Sequence, residues 1–208
     1  AGISADKSEL IMVQSDVGAS NEWRTDKALC ISTYDGSTTV PEFEIPATTY
    51  HPTQDYYVES AVKTDSLILI GTPSSELINN NYNDGIVFVF DSNGTHLQTV
   101  ENPNMSHLNH PGDEGASQDG FGKDMAVWNN KVVILSKGDQ SYNSGTSTPN
   151  YGDDSIITIW TTSASGITLE STVGLDTGTN TGGQIDGNLT IVGNTAYISG
   201  YQTNHSTY

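Results

Sequence analysis

Ala126-Val127-Trp128-Asn129-Asn130-Lys131-Val132-Val133-Ile134-Leu135 is the stretch on which the fold turns. Two short apolar runs flank a pair of asparagines. Asn tolerates the positive φ that a two-residue hairpin turn demands, so the stretch reads as strand, tight turn, strand. The second run has counterparts in Leu10-Ile11-Met12-Val13, Leu67-Ile68-Leu69-Ile70 and Ala196-Tyr197-Ile198-Ser199. The four runs begin at residues 10, 67, 132 and 196, at intervals of 57, 65 and 64. The first run and its turn recur as well. Ala61-Val62-Lys63 precedes Thr64-Asp65, and Thr190-Ile191-Val192 precedes Gly193-Asn194. In the earliest copy, Gly2-Ile3-Ser4 reaches Leu10 through a longer turn at Asp6-Lys7-Ser8.

Beyond each second strand lies a polar loop and then a third apolar run: Ala28-Leu29-Cys30-Ile31, Ile86-Val87-Phe88-Val89-Phe90 and Ile156-Ile157-Thr158-Ile159-Trp160. Asp35-Gly36, Asn93-Gly94 and Ser165-Gly166 follow as turns, and a more polar fourth strand closes the unit, as in Thr95–Val100 and Ile167–Val173. Helical periodicity is nearly absent. Four antiparallel strands in a unit of about 60 residues form the pattern of a β-propeller blade, near the kelch end of the range. The fold expected is therefore all-β, a propeller with three full four-stranded blades and one hairpin. The repeats span approximately 1–50, 51–115, 116–183 and 184–208.

Composition sets the limits. The 208 residues suffice for one domain with a real core. Charged residues make up 15% of the chain, and 25 Asp and Glu against 7 Lys and Arg leave a net charge of −18. So acidic a surface repels phosphate backbones and anionic headgroups, which argues against nucleic acid and membrane surfaces as partners. No apolar run approaches the roughly 20 residues of a membrane span. Ala1 stands where an initiator Met would, so a processed or excised chain is expected. Cys30 is the only cysteine, which rules out an internal disulfide and a cysteine-based zinc site.

Two segments resemble the FG-GAP repeat, the blade unit of integrin α-subunit heads and of many secreted bacterial proteins. Asp119-Gly120-Phe121-Gly122-Lys123-Asp124-Met125-Ala126-Val127 is similar to the Phe-Gly half and its first strand. Leu67-Ile68-Leu69-Ile70-Gly71-Thr72-Pro73 is similar to the Gly-Ala-Pro half, with Thr for Ala, and Asp84–Phe90 resembles its third strand. The spacing extends over essentially the whole chain. The motifs do not: the Phe-Gly position reads Tyr56-Tyr57 one repeat earlier and Ile185-Asp186 one repeat later. The Gly-Ala-Pro position reads Ser136-Lys137-Gly138 and Gly200-Tyr201-Gln202 in later copies. The resemblance implies a secreted adhesion or assembly module. The family's calcium loop does not carry over, because a two-residue turn cannot wrap the six or more oxygens Ca²⁺ takes.

Candidate chemistry lies in the loops. His107, His110 and Asp113 gather imidazole and carboxylate in one segment and are candidate metal ligands; a solvated connection between blades is the alternative. Asn81, Asn83 and Asp84 supply hard oxygens suited to Ca²⁺, but Asp91 falls at position thirteen counted from Asn79, one past the closing acid of an EF-hand loop. No cofactor is expected to be required. A Gly-x-Ser-x-Gly elbow and a sialidase-type Asp box are both lacking, and Cys30 sits in an apolar strand where a thiol is inert. Asp153-Asp154 are adjacent carboxylates, but adjacency does not set the spacing a glycosidase needs. Sequons at Asn93 and Asn104, and at Asn188 and Asn204, are candidate glycosylation sites, and Ser144–Thr148 is rich in hydroxyls. Tyr50, Tyr82, Tyr142 and Tyr151 are candidate contact residues.

The function expected is that of a secreted, non-catalytic propeller module for recognition or assembly, at a cell surface or in an extracellular fibre or coat. The alternatives are a glycan-acting hydrolase and a carbohydrate-binding module. Three repeats and a hairpin do not close a ring of about four to eight blades. A longer polypeptide, or a ring completed by other chains or neighbouring copies, is therefore expected. Ile3, Leu10 and Met12 at one end, and Ile191, Tyr197 and Ile198 at the other, are expected to need cover. Cys30 is expected to stay a free thiol.

Overall fold

The computed structural model describes residues 58–73, 85–103, 120–136, 156–174 and 187–199 with their side chains. Strands at 2–4, 10–15, 29–34, 43–44, 183–184 and 201–202 are described as backbone only. Among the described residues all regular structure is β. β1 (Gly2–Ser4), β2 (Leu10–Ser15), β3 (Leu29–Tyr34) and β4 (Phe43–Glu44) form one antiparallel unit. β5 (Ser60–Lys63), β6 (Leu67–Thr72), β7 (Ile86–Asp91) and β8 (His96–Glu101) form the second. β9 (Asp124–Trp128), β10 (Lys131–Ser136), β11 (Ile156–Ser163) and β12 (Gly166–Gly174) form the third. A two-stranded pair of β13 (Gly183–Gln184) with β16 (Tyr201–Gln202) and the hairpin of β14 (Leu189–Val192) with β15 (Thr195–Ile198) complete the set. Each four-strand unit has its strands paired in chain order. The first two units are joined by a parallel pairing of β1 with β5, Ile3 opposite Val62, which makes one eight-stranded sheet.

The period-2 pattern explains how the units pack. In β10, Val132 and Ile134 join a core with Leu67, Leu69, Val87 and Val89 of the second unit. The alternate residues, Val133 and Leu135, join a separate core with Leu189, lined also by Ile191 and Ile198. The inner strands of the third unit are thus covered on both faces, which is why they read as unbroken apolar runs rather than as alternation. β6 is buried along its whole length as well. First strands lie beside first strands: β5 against β9, and β9 against β14.

Two details differ from the sequence reading. The turn of the second unit is Asp65-Ser66, not Thr64-Asp65. Thr64 donates its N–H to the Leu67 carbonyl at 2.8 Å, and its Oγ1 accepts the Leu67 N–H at 3.0 Å. Thr64 is therefore the last paired residue of its strand, buried beneath the turn it closes. The turns Asp65-Ser66, Asn129-Asn130 and Gly193-Asn194 then follow one another at even intervals of 64 residues. The second difference concerns the last hairpin. Leu189 pairs with Ile198 and Thr190 with Tyr197, so Ile198 and Tyr197 lie on opposite faces. Ile191 and Ile198 pack on the third unit, whereas Tyr197 is 58% exposed. The side chains of Ile3, Leu10, Met12 and Cys30 are outside the described residues, although Cys30 does lie in β3. Among the described residues no closed ring is found.

Candidate functional site

The most constructed feature of the molecule is the seam between the second and third units. Gly120-Phe121-Gly122 precedes β9 and folds back onto the preceding unit. Phe121 is fully buried, 6.2 Å between ring centroids from Trp160. Its backbone lies so close to Gly85 that a Cβ there would collide with the Phe121 nitrogen and carbonyl oxygen. Gly85 also has φ 84°, a conformation that side chains disfavour. Gly122 mirrors it, with φ 84° and its Cα side against Gly71 and the Val87 methyl. Ser60 Oγ donates to the Gly122 carbonyl at 2.6 Å and so holds the turn to β5. Lys123 pairs with Glu59 across the same seam. Further out, the Ile167 N–H donates to Gln98 Oε1 at 3.0 Å, tying β12 to β8.

The seam between the third unit and the last hairpin uses the same positions. Asp124 stands 64 residues after Ser60. Its Oδ2 accepts the Leu189 N–H at 2.6 Å, while Oδ1 accepts the Met125 N–H at 2.8 Å. Burial pushes the Asp124 carboxyl above the usual Asp range, against the pull of the Leu189 and Met125 N–H groups and of Lys123. Trp128 Nε1 donates to Asn194 Oδ1 at 3.4 Å, and the Lys131 ammonium sits 5.5 Å from the Trp128 ring centroid. Lys131 also pairs with Glu170, whose carboxyl is held below the ordinary Glu range by hydrogen bonds from Lys131 and Thr161.

One face of β14–β15 remains open. Thr190, Val192, Thr195 and Tyr197 share it by register, and Val192 is 62% exposed. Leu169 and Val173 on β12 are the other large exposed apolar side chains among the described residues.

Of the residues singled out in the sequence, Asn93 is exposed on the β7–β8 turn. Its N–H and that of Thr95 both donate to Asp91 Oδ1, which lowers the Asp91 pKa. Asn188 is also exposed, just before β14. His107, His110, Asp113, Asn81, Asn83, Asp84, Asn104, Asn204, Tyr50, Tyr82, Tyr142 and Tyr151 lie outside the described residues. Among the described residues no group of three or more His, Cys, Asp or Glu side chains converges as a metal site would require. The sequence reading missed Asp124 and Ser60, because their partners are backbone atoms more than 60 residues away.

Comparison with protein-family profiles, with curated proteins and with solved structures finds no match.

Proposed function

We propose that this chain is a β-propeller module of FG-GAP type, secreted and non-catalytic, that serves recognition or assembly at an extracellular surface. The observation that carries the reading is β10 of the third unit, packed on both faces by successive units whose first strands lie side by side. A two-layer sandwich leaves the outer face of each sheet wet; stacked blades do not. The seating of Phe121-Gly122 against Gly71 and Gly85 gives the two halves of the FG-GAP pattern one physical purpose: the Phe-Gly turn of one blade needs glycines in the blade before it. Rigid stacked sheets present their connecting loops for contact without chemistry. The test is an array of glycans assayed for both binding and turnover. Turnover would overturn the non-catalytic reading in favour of a hydrolase. Binding without turnover would identify the recognition target as carbohydrate.

A further inference from the structure

The turn between β7 and β8 holds a reactive dipeptide under restraint. Asn93-Gly94 is the only Asn-Gly pair in the chain. Asn93 is exposed, and Gly94, at φ 85°, has no side chain to shield its nitrogen from the Asn93 amide. That nitrogen is nevertheless engaged: the Gly94 N–H donates to the Asp91 carbonyl at 3.1 Å. On either side of it, the Asn93 and Thr95 N–H groups donate to Asp91 Oδ1 at 2.9 and 2.8 Å. Asp91 therefore pins three consecutive N–H groups. The third unit makes the corresponding turn with Ser163 and Ser165 where Asp91 and Asn93 stand, and the Ser165 N–H donates to Ser163 Oγ at 3.4 Å. The turn does not require asparagine.

We infer that Asn93 is a site of spontaneous deamidation and that Asp91 restrains it. In the reaction the Gly94 nitrogen gives up its proton to solvent and bonds to Asn93 Cγ. The Cγ–Nδ2 bond breaks, and Nδ2 takes up a proton from water and leaves as ammonia. A water molecule then opens the cyclic imide, and the Gly94 nitrogen regains its proton. Opening at Cγ gives aspartate; opening at the main-chain carbonyl gives isoaspartate. Water is consumed, ammonia is released, and nothing is oxidised or reduced. The attack requires Gly94 to leave the Asp91 carbonyl and swing toward Cγ, which the charge-assisted bonds from Asn93 and Thr95 oppose. Negative charge developing on the nitrogen also meets the Asp91 carboxylate, which disfavours it. The isoaspartate product routes the main chain through a side chain at the turn that sets the register of β8, the strand whose Gln98 holds β12.

The experiment is timed peptide mapping by mass spectrometry of the 208-residue chain held in mildly alkaline buffer. A short peptide of residues 90–97 serves as the unrestrained reference. Conversion at Asn93 should run slower in the folded chain than in the peptide by about tenfold or more. Asp91→Ala should speed it by about threefold or more, and Asp91→Asn, which keeps an acceptor oxygen without the charge, by less. Amide exchange at Leu69 and Val89 identifies the variants whose sheet is intact, and rates are compared among those. Asn93→Ser, the residue of the corresponding turn, should abolish the mass gain at this site. Equal rates in the folded chain and the peptide, an Asp91→Ala rate equal to that of wild type, or a mass gain that survives Asn93→Ser would each overturn the inference.

Discussion

Replacing Phe121 with alanine tests whether the seam is a true core or a surface contact. The ring is fully buried and faces Trp160 from its own unit and the glycine-lined edge of the one before. Phe→Ala in a packed core costs about 3–5 kcal/mol, transfer and cavity terms together. The upper part of that range applies here, because Gly71 and Gly85 offer no side chain that relaxes into the space. For a chain of this size each kcal/mol lowers Tm by about 2–4 °C, so a loss of about 4 kcal/mol lowers Tm by about 8–16 °C. Phe121→Leu, which keeps most of the volume, should cost less than about 1.5 kcal/mol. Thermal melting by near-UV circular dichroism supplies the first readout. Amide exchange supplies the second: protection should fall at Leu69 and Val87 as well as at Val132. A drop in Tm below about 3 °C, or lost protection confined to β9–β12, would refute the seam as described.

Gly85→Ala should destabilise by well over the roughly 1 kcal/mol of a positive-φ penalty alone, since the new methyl meets Phe121 backbone; equal stability in urea melts would contradict the close approach. Asp124 carries a pH signature. Its folded pKa is raised above the ordinary 3.8, so its contribution to stability grows as pH falls through the folded value and is lost as pH rises. Wild type should therefore gain in Tm relative to Asp124→Asn between pH 7 and pH 4, and a difference that stays flat or slopes the other way would refute it. Asp91 and Glu170 titrate in the opposite sense, with lowered values, but are common to both proteins and cancel in that difference. Treatment with a chelator should leave Tm unchanged to within about 2 °C, because the turns at Asp65, Asn129 and Gly193 span two residues each. A larger fall would reveal a structural ion.

Strand identity was legible because the runs are β-branched and bounded by turn residues; β7 and β10 follow the sequence boundaries to within a residue, and β6 runs two residues further, to Thr72. Third-to-fourth-strand irregularity was not. Bulges at Val89/Phe90 and at Ile159/Trp160 recur at the same point of β7 and β11, and nothing in the apolar pattern marks them. The faces of the last hairpin were misread for a related reason. Tyr197 and Ile198 are neighbours in one strand and so point to opposite sides, and only the register set by the Gly193-Asn194 turn puts Ile198, with Leu189 and Ile191, on the packed one. Thr64 looked like a turn residue because Thr-Asp is turn-prone, whereas its hydroxyl closes the turn from the strand end. The polar links Ser60–Gly122 and Asp124–Leu189 depend on non-local pairing, which a single chain of letters does not display.

The inner strands of the third unit, β10 above all, are packed on both faces by neighbouring units. Methyl–methyl nuclear Overhauser effects in the selectively labelled chain test it most directly. Two disjoint sets are expected: Val132 and Ile134 with Leu67 and Leu69, and Val133 and Leu135 with Leu189, Ile191 and Ile198. Contacts from Val132 and Ile134 alone, with Val133 and Leu135 facing solvent, would contradict it and leave a two-layer sandwich in its place.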